Sequence, residues 1–201
     1  MLLAGTLLLQ SEGIKAYFPL NTGDKWVYDE TGDTGSMRVT DIVGDEVKIN
    51  GFPCIPVISS SNGKELDRVY YTVGEGQVMI VAFKEDKPLK SPYAIIRLPE
   101  LGSKWSHNGE TMMGDAPADL ELEGNVKKIG QREFDGKKVD AIEVRLKATL
   151  LEAFGTGFTV EQVAVYGKGI GLISMEMTTK LPKRSIKSQR KLVSFTPKTS
   201  E

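Results

Sequence analysis

Few residues in this chain could do chemistry, and the setting of each decides what it can do. There is one histidine, His107, and one cysteine, Cys54. A general base needs an orienting partner and a nucleophile or substrate within reach. His107 follows Trp105 in a hairpin-like stretch, and no G-x-S-x-G nucleophile elbow occurs in the chain. It reads as an exposed turn residue. Cys54 lies in Phe52-Pro53-Cys54-Ile55-Pro56-Val57. A reactive thiol wants a basic or helix-N-terminal setting, and this one is apolar, so Cys54 reads as a small buried hydrophobe. No catalytic residue is assigned.

One cysteine excludes an intramolecular disulfide, and one histidine excludes a multi-histidine metal site. Carboxylates and carbonyls remain, and these suit hard ions. Asp29-Glu30-Thr31-Gly32-Asp33-Thr34-Gly35 could offer such oxygens, but the EF-hand spacing is absent and a solvated hairpin loop is the plainer reading. Asp115, Asp119, Glu121 and Glu123 read as a wet strand face. Gly167, Gly169 and Gly171 suggest a nucleotide loop. Such a loop must open a helix, whereas Leu172-Ile173-Ser174-Met175 reads as a strand. No metal or cofactor is expected.

The C-terminal part is basic. Lys180, Lys183, Arg184, Lys187, Arg190 and Lys191 fall within 12 residues that contain no acid. They could meet an anionic surface, such as lipid headgroups or a polyanionic glycan. Interleaved aromatics are missing, so stacking on nucleic acid fits poorly. The plainer reading is a charged edge strand that discourages sheet-to-sheet aggregation. Over the whole chain 26 Lys and Arg balance 27 Asp and Glu, which argues against bulk attraction to nucleic acid or anionic membrane.

The elements that must position these residues are strands. In Ser36–Ile42, Met37, Val39 and Asp41 share a face against Arg38, Thr40 and Ile42. Asp119-Leu120-Glu121-Leu122-Glu123 alternates cleanly, and Ile142, Val144 and Leu146 lie opposite Glu143 and Arg145. Phe158–Tyr166 is β-branched and aromatic, as strands prefer. Asn50-Gly51, Asn62-Gly63, Asn108-Gly109 and Asp135-Gly136 are dipeptides of tight hairpins. Lys147–Phe154 fits a helix or a strand. A chain of 201 residues can bury a large core, and this pattern predicts an all-β fold: mainly antiparallel, hairpin-rich sheet, including the option of one curved or barrel-like sheet.

Two copies of one unit are expected. Phe18-Pro19-Leu20-Asn21-Thr22-Gly23-Asp24-Lys25-Trp26 is echoed by Leu98-Pro99-Glu100-Leu101-Gly102-Ser103-Lys104-Trp105. Asn50-Gly51 is echoed by Asp135-Gly136, and Tyr71-Thr72-Val73-Gly74-Glu75-Gly76 by Tyr166-Gly167-Lys168-Gly169-Ile170-Gly171. The offset between copies grows along the chain, as loop insertions in the second copy would make it. The division is an apolar segment 1–13, a β repeat unit 14–97, and a second unit 98–201 ending in the basic strand. Pro19 and Pro99 start the turns, Gly23 and Gly102 complete them, and Trp26 and Trp105 bury large indoles. All six are structural assignments.

The opening Tyr17-Phe18-Pro19-Leu20 with Gly23, Trp26 and Tyr28, and the closing Tyr166-Gly167-Lys168-Gly169-Ile170-Gly171-Leu172-Ile173, resemble a loose group of bacterial secreted and envelope proteins. In that group an F-P-L-x-x-G-x-x-W-x-Y opening pairs with a W-Y-A-x-G-[VI]-G-L-V-type closing strand, often behind a signal or lipoprotein peptide. The resemblance implies a β fold and a periplasmic, secreted or envelope-associated location. It brings no catalytic residue. The chain departs at Val165-Tyr166, where Trp-Tyr is usual, and at Thr6, which stands where a lipidated cysteine would follow Leu3-Ala4-Gly5. Met1–Leu9 is apolar but too short to span a bilayer in a helix, and no other segment is apolar enough. The expected function is non-enzymatic: a β scaffold that binds a partner protein, an apolar ligand or an envelope surface. The alternative is a hydrolase with a carboxylate site built from distant residues.

Overall fold

A computed structural model describes residues 13–33, 35–97, 104–113, 116–151 and 157–198. The early apolar run, Pro99, Gly102 and the end of the ambiguous 147–154 window lie outside the described residues. Thirteen strands are described: β1 Lys25–Gly32, β2 Gly35–Val43, β3 Val47–Ile49, β4 Phe52–Ser61, β5 Lys64–Gly74, β6 Gln77–Lys84, β7 Lys87–Arg97, β8 Lys104–Met113, β9 Ala116–Phe134, β10 Lys137–Leu151, β11 Phe158–Gly167, β12 Gly171–Leu181 and β13 Arg184–Thr196.

The strands form one antiparallel sheet in the order β7-β6-β5-β4-β2-β1-β13-β12-β11-β10-β9-β8, with β3 added beside β4. Two meanders are thus joined where β1 pairs with β13, and the sheet curls until it is nearly closed into a barrel. Extra residues in one strand of a pair, as at Val27/Tyr28, Tyr70/Tyr71, Ala141/Ile142 and Val165/Tyr166, bend the strands and help the sheet to close. Alternation sets the faces. Leu120, Leu122 and Val126 of β9 and Ile142, Val144 and Leu146 of β10 point into the core, while Glu121, Glu123 and Arg145 are exposed.

Local turn chemistry works as expected at three sites. Asn50-Gly51, Asn62-Gly63 and Asp135-Gly136 all take positive φ at both positions, and Glu75-Gly76 does the same. Asn108-Gly109 is different, because it lies inside β8 and makes no turn. The glycine there permits close approach of β7: a Cβ on Gly109 would sit 2.8 Å from Ser91 Oγ and 2.7 Å from His107 Nε2. His107 is accordingly a half-buried strand residue and not an exposed turn residue.

One further expectation is corrected, and one that was left open is decided. The basic C-terminal strand is not an edge: β13 is paired on both sides, by β1 and β12. The stretch 147–151 is strand, as the end of β10. Its partners on both sides satisfy the backbone, which overrides its helix-forming composition.

No ladder joins β7 to β8 among the described residues. Side chains bridge that seam instead. Trp105 Nε1 donates to Ala94 O at 3.1 Å, Thr111 Oγ1 to Tyr93 OH at 3.4 Å, and Lys90 Nζ to Glu110 at 3.2 Å. Outside the barrel wall, β3 covers a small second core of Ile49, Cys54, Tyr70, Val81 and Ala82. Cys54 is fully buried there, and that burial pushes its thiol pKa up.

Candidate functional site

One end of the barrel is stoppered by the residues before β1. A helical turn over 13–15 places Ile14 in the main core, and Phe18 packs edge-on against Tyr71 at 5.2 Å and tilted against Tyr166 at 5.9 Å. The β11–β12 turn clasps this stopper: Gly169 N donates to Ala16 O at 2.6 Å, and Trp26 Nε1 donates to Ile170 O at 2.6 Å. Gly171, at φ +93°, lies beside the indole. A Cβ there would be 3.3 Å from Trp26 Nε1 and 3.5 Å from Pro19 Cδ. The glycine-rich stretch is therefore a clasp, and it opens a strand, not a helix.

Behind the stopper the barrel holds a cavity of about 260 Å³. Phe18, Trp26, Tyr28, Tyr71 and Tyr166 form its aromatic wall, and Val57, Val69, Ile80, Leu172 and Met175 add aliphatic surface. Burial pushes the Tyr71 and Tyr166 hydroxyls well above the usual phenol range, so both stay neutral.

A charged cluster interrupts this apolar surface. Arg190 of β13 turns inward, its side chain 16% exposed, and Nη1 donates to Asp41 Oδ2 at 2.9 Å. Nη2 donates to Glu30 Oε2 at 3.3 Å, and the guanidinium lies 5.1 Å from the centre of the Tyr28 ring. Ser59 Oγ donates to Asp41 Oδ1 at 2.7 Å. Asp67 also lines the cavity. Burial raises the Asp41 pKa even though Arg190 and Ser59 pull the other way. Burial also disfavours the charge on Arg190, but Asp41 and Glu30 outweigh that and leave its pKa raised. Arg190 Nε is buried and has no hydrogen-bond partner among the described residues.

The sequence-assigned residues take different places. Trp26 and Trp105 are each the second residue of a strand, 5% and 7% exposed. Gly23 turns at φ +89° and Pro19 lines the cavity. Of the basic set, Lys180, Lys183, Arg184, Lys187 and Lys191 are exposed, and Lys180 pairs with Glu161 at 2.5 Å. Arg190 alone points into the barrel, so it presents nothing to an outer surface. The acidic stretch expected as a loop is largely strand, with Asp29 and Glu30 in β1: Asp29 pairs with Arg38 at 2.9 Å, Glu30 faces Arg190, and Asp33 in the turn accepts from Lys187 N at 3.2 Å.

Sequence reasoning missed the cluster, although a sign of it was present. Asp41 shares a strand face with Val39, and an acid on an apolar face needs a partner. It missed Asp24 as well, 1% exposed, which accepts from Asn21 Nδ2 at 2.9 Å and from Lys198 N at 3.0 Å.

A larger, open depression of about 620 Å³ lies over β8–β11 among Lys104, Glu123, Arg145 and Glu161. Its charges are of both signs and face water, so it offers no enclosure to a ligand.

The chain is similar to several solved structures. A candidate lipoprotein from Parabacteroides distasonis superposes with a TM-score of 0.52 at 9% identity, over 90% of this chain and 98% of that one. A candidate exported protein with YmcC-like fold from Bacteroides fragilis gives 0.47 at 10% identity, over 90% and 99%. The hypothetical lipoprotein YmcC from Escherichia coli gives 0.40 at 12% identity, over 94% and 90%. The first of these likenesses establishes a shared fold. No protein-family model matches the chain, and no curated protein does.

Proposed function

We propose that this chain is a non-enzymatic β scaffold of the cell envelope that holds a small apolar ligand in its lumen. The observation that carries the reading is the 260 Å³ aromatic-walled cavity, stoppered at one end by Phe18 and clasped by the β11–β12 turn. Enclosed apolar cavities with a few convergent polar groups are the usual form of a small-molecule site. The location outside the cytoplasm is supported by the resemblance of the opening and closing motifs to exported proteins. The like course of the two meanders, joined where β1 pairs with β13, supports their descent from one duplicated unit. In both, the echoed tryptophan is the second residue of the first strand, and the echoed Asn-Gly and Asp-Gly turns precede the third strand of each meander order, β4 and β10.

A hydrolase built on Asp41 and Glu30 is the weaker reading. Each carboxylate is tied to Arg190, and Asp41 also to Ser59, which is the arrangement of an ion-pair cluster.

The test is binding of N-phenyl-1-naphthylamine, an uncharged dye that brightens in apolar surroundings. The expected result is saturable brightening that Val69→Trp, which fills the cavity, abolishes while the circular dichroism spectrum stays unchanged. Undiminished brightening in a folded Val69→Trp protein would place the dye elsewhere and remove the reading.

A further inference from the structure

The lumen is stoppered at one end, and its other end carries an exposed acid. Along β5, Asp67, Val69 and Tyr71 alternate and all line the cavity, so Asp67 points inward from the same face as Tyr71. Asp67 is exposed all the same, whereas Trp26 and Tyr166 beside the stopper are buried. The cavity therefore meets water at Asp67. At about 3.3 Å per residue, the wall from Asp67 to Tyr71 is about 13 Å long. Burial chiefly, and Asp67 among the nearby charges, raises the Tyr71 hydroxyl pKa, as a carboxylate that faces the same interior does.

The charge around the cavity is unbalanced. Ser59 is the cross-strand partner of Asp41 on one side and of Asp67 on the other, so the three form one row across β2, β4 and β5. Arg190 comes from β13, on the far side of β2 from Asp67, and it is bonded to Asp41 and Glu30. Asp67 accepts from Arg68 N at 2.8 Å through Oδ1 and is in no ion pair among the described residues. One guanidinium thus stands against three carboxylates, and the carboxylate left over is the one at the mouth. Such a field draws a cation and repels an anion, more strongly where the walls exclude water. A charged group at the mouth also keeps part of its hydration, so it escapes the cost of entering the apolar interior.

We propose that the lumen takes an amphiphile with a single cationic end, of the alkylammonium type, which pairs with Asp67 at the mouth. This rests on the reading of the lumen as a ligand site and names the class of ligand for it. The ammonium donates to the Asp67 carboxylate, and the apolar body lies along Val69 and Tyr71 toward Phe18.

The experiment displaces bound N-phenyl-1-naphthylamine from the full chain at neutral pH with three probes of one chain length: octylammonium, octanoate and 1-octanol. Octylammonium is expected to displace the dye at a concentration about tenfold below that of either other probe, the ratio of one charge-assisted hydrogen bond. Asp67→Asn keeps an acceptor for Arg68 N and removes the charge. It is expected to lose the preference for the ammonium while the circular dichroism spectrum stays unchanged. Octanoate or 1-octanol as potent as octylammonium on the parent chain overturns the proposal, and so does a folded Asp67→Asn protein that retains the full preference. Failure of the dye itself to bind in the lumen is a different result and removes the ligand-site reading. The three probes on the parent chain decide the matter even where the variant fails to fold.

Discussion

The indole Nε1 of Trp26 donates a 2.6 Å hydrogen bond to the backbone carbonyl of Ile170, a residue 144 positions further along the chain. This bond ties the first strand to the β11–β12 turn, and Phe195 of the last strand stacks on the same indole at 5.3 Å. The opening and closing motifs of the sequence are therefore two halves of one contact. Replacing Trp26 by Ala is expected to cost about 3–5 kcal/mol, as for a large aromatic removed from a core. Trp26→Phe keeps the stacking but leaves the Ile170 carbonyl unpaired, at about 1–3 kcal/mol. Urea unfolding measures both, and equal costs for the two variants would mean that the hydrogen bond contributes nothing.

Trp105 makes a different demand on its neighbour. Its ring lies over Gly124, and a Cβ on Gly124 would fall 2.2 Å from Trp105 Cε2. Gly124→Ala is expected to destabilise by about 1–3 kcal/mol, because a close-packed ring must shift and the Trp105 bond to Ala94 O at the β7–β8 seam must shift with it. A Gly124→Ala protein with an unchanged urea midpoint would show that the indole has a free alternative position.

Arg190 anchors two inward carboxylates. Arg190→Met is expected to cost about 3–5 kcal/mol at neutral pH, the range for stranding buried charge. The sign of its pH dependence follows from Asp41. Burial holds the Asp41 pKa above its unfolded value, so the folded state binds more protons. Its stability contribution is present below the ordinary carboxylate value and is lost as pH rises through the raised folded pKa. Losing the guanidinium removes a group that lowers this pKa, so the variant recovers stability on acidification more than the parent does. Thermal midpoints at neutral pH and at about pH 4.5 read the difference. A variant that gains nothing on acidification would mean that its carboxylates have reached water.

His107 gives the opposite sign. Burial lowers its pKa from the ordinary histidine value. The unfolded chain then binds the proton more readily, so the contribution of His107 is intact above the ordinary value and is lost as pH falls toward and through the lowered one. The chain contains no other histidine. The urea midpoint is expected to fall on acidification just below that value, and His107→Gln should flatten this segment of the profile. An unchanged profile in the variant would assign the loss to carboxylates.

The sequence by itself determined the strands and most of their turns, because both depend on neighbours a few residues away. Alternation in Asp119–Glu123 placed the leucines inward, and positive φ at Asn50-Gly51, Asn62-Gly63 and Asp135-Gly136 is a property of those dipeptides wherever a hairpin forms. Asn108-Gly109 has the same local chemistry and makes no turn, since the approach of β7 to β8 decided the use of that glycine. The basic strand could be seen as a strand, but not as an interior one. Only pairing of β13 with β1, across almost the whole chain, gave it a second neighbour. That pairing also set the parity of Arg190: its partners Asp41 and Glu30 lie 149 and 160 positions away. Period and turn preference are local steric properties, whereas the side of a strand that faces a lumen, and the charges it meets there, exist only after the sheet has curled.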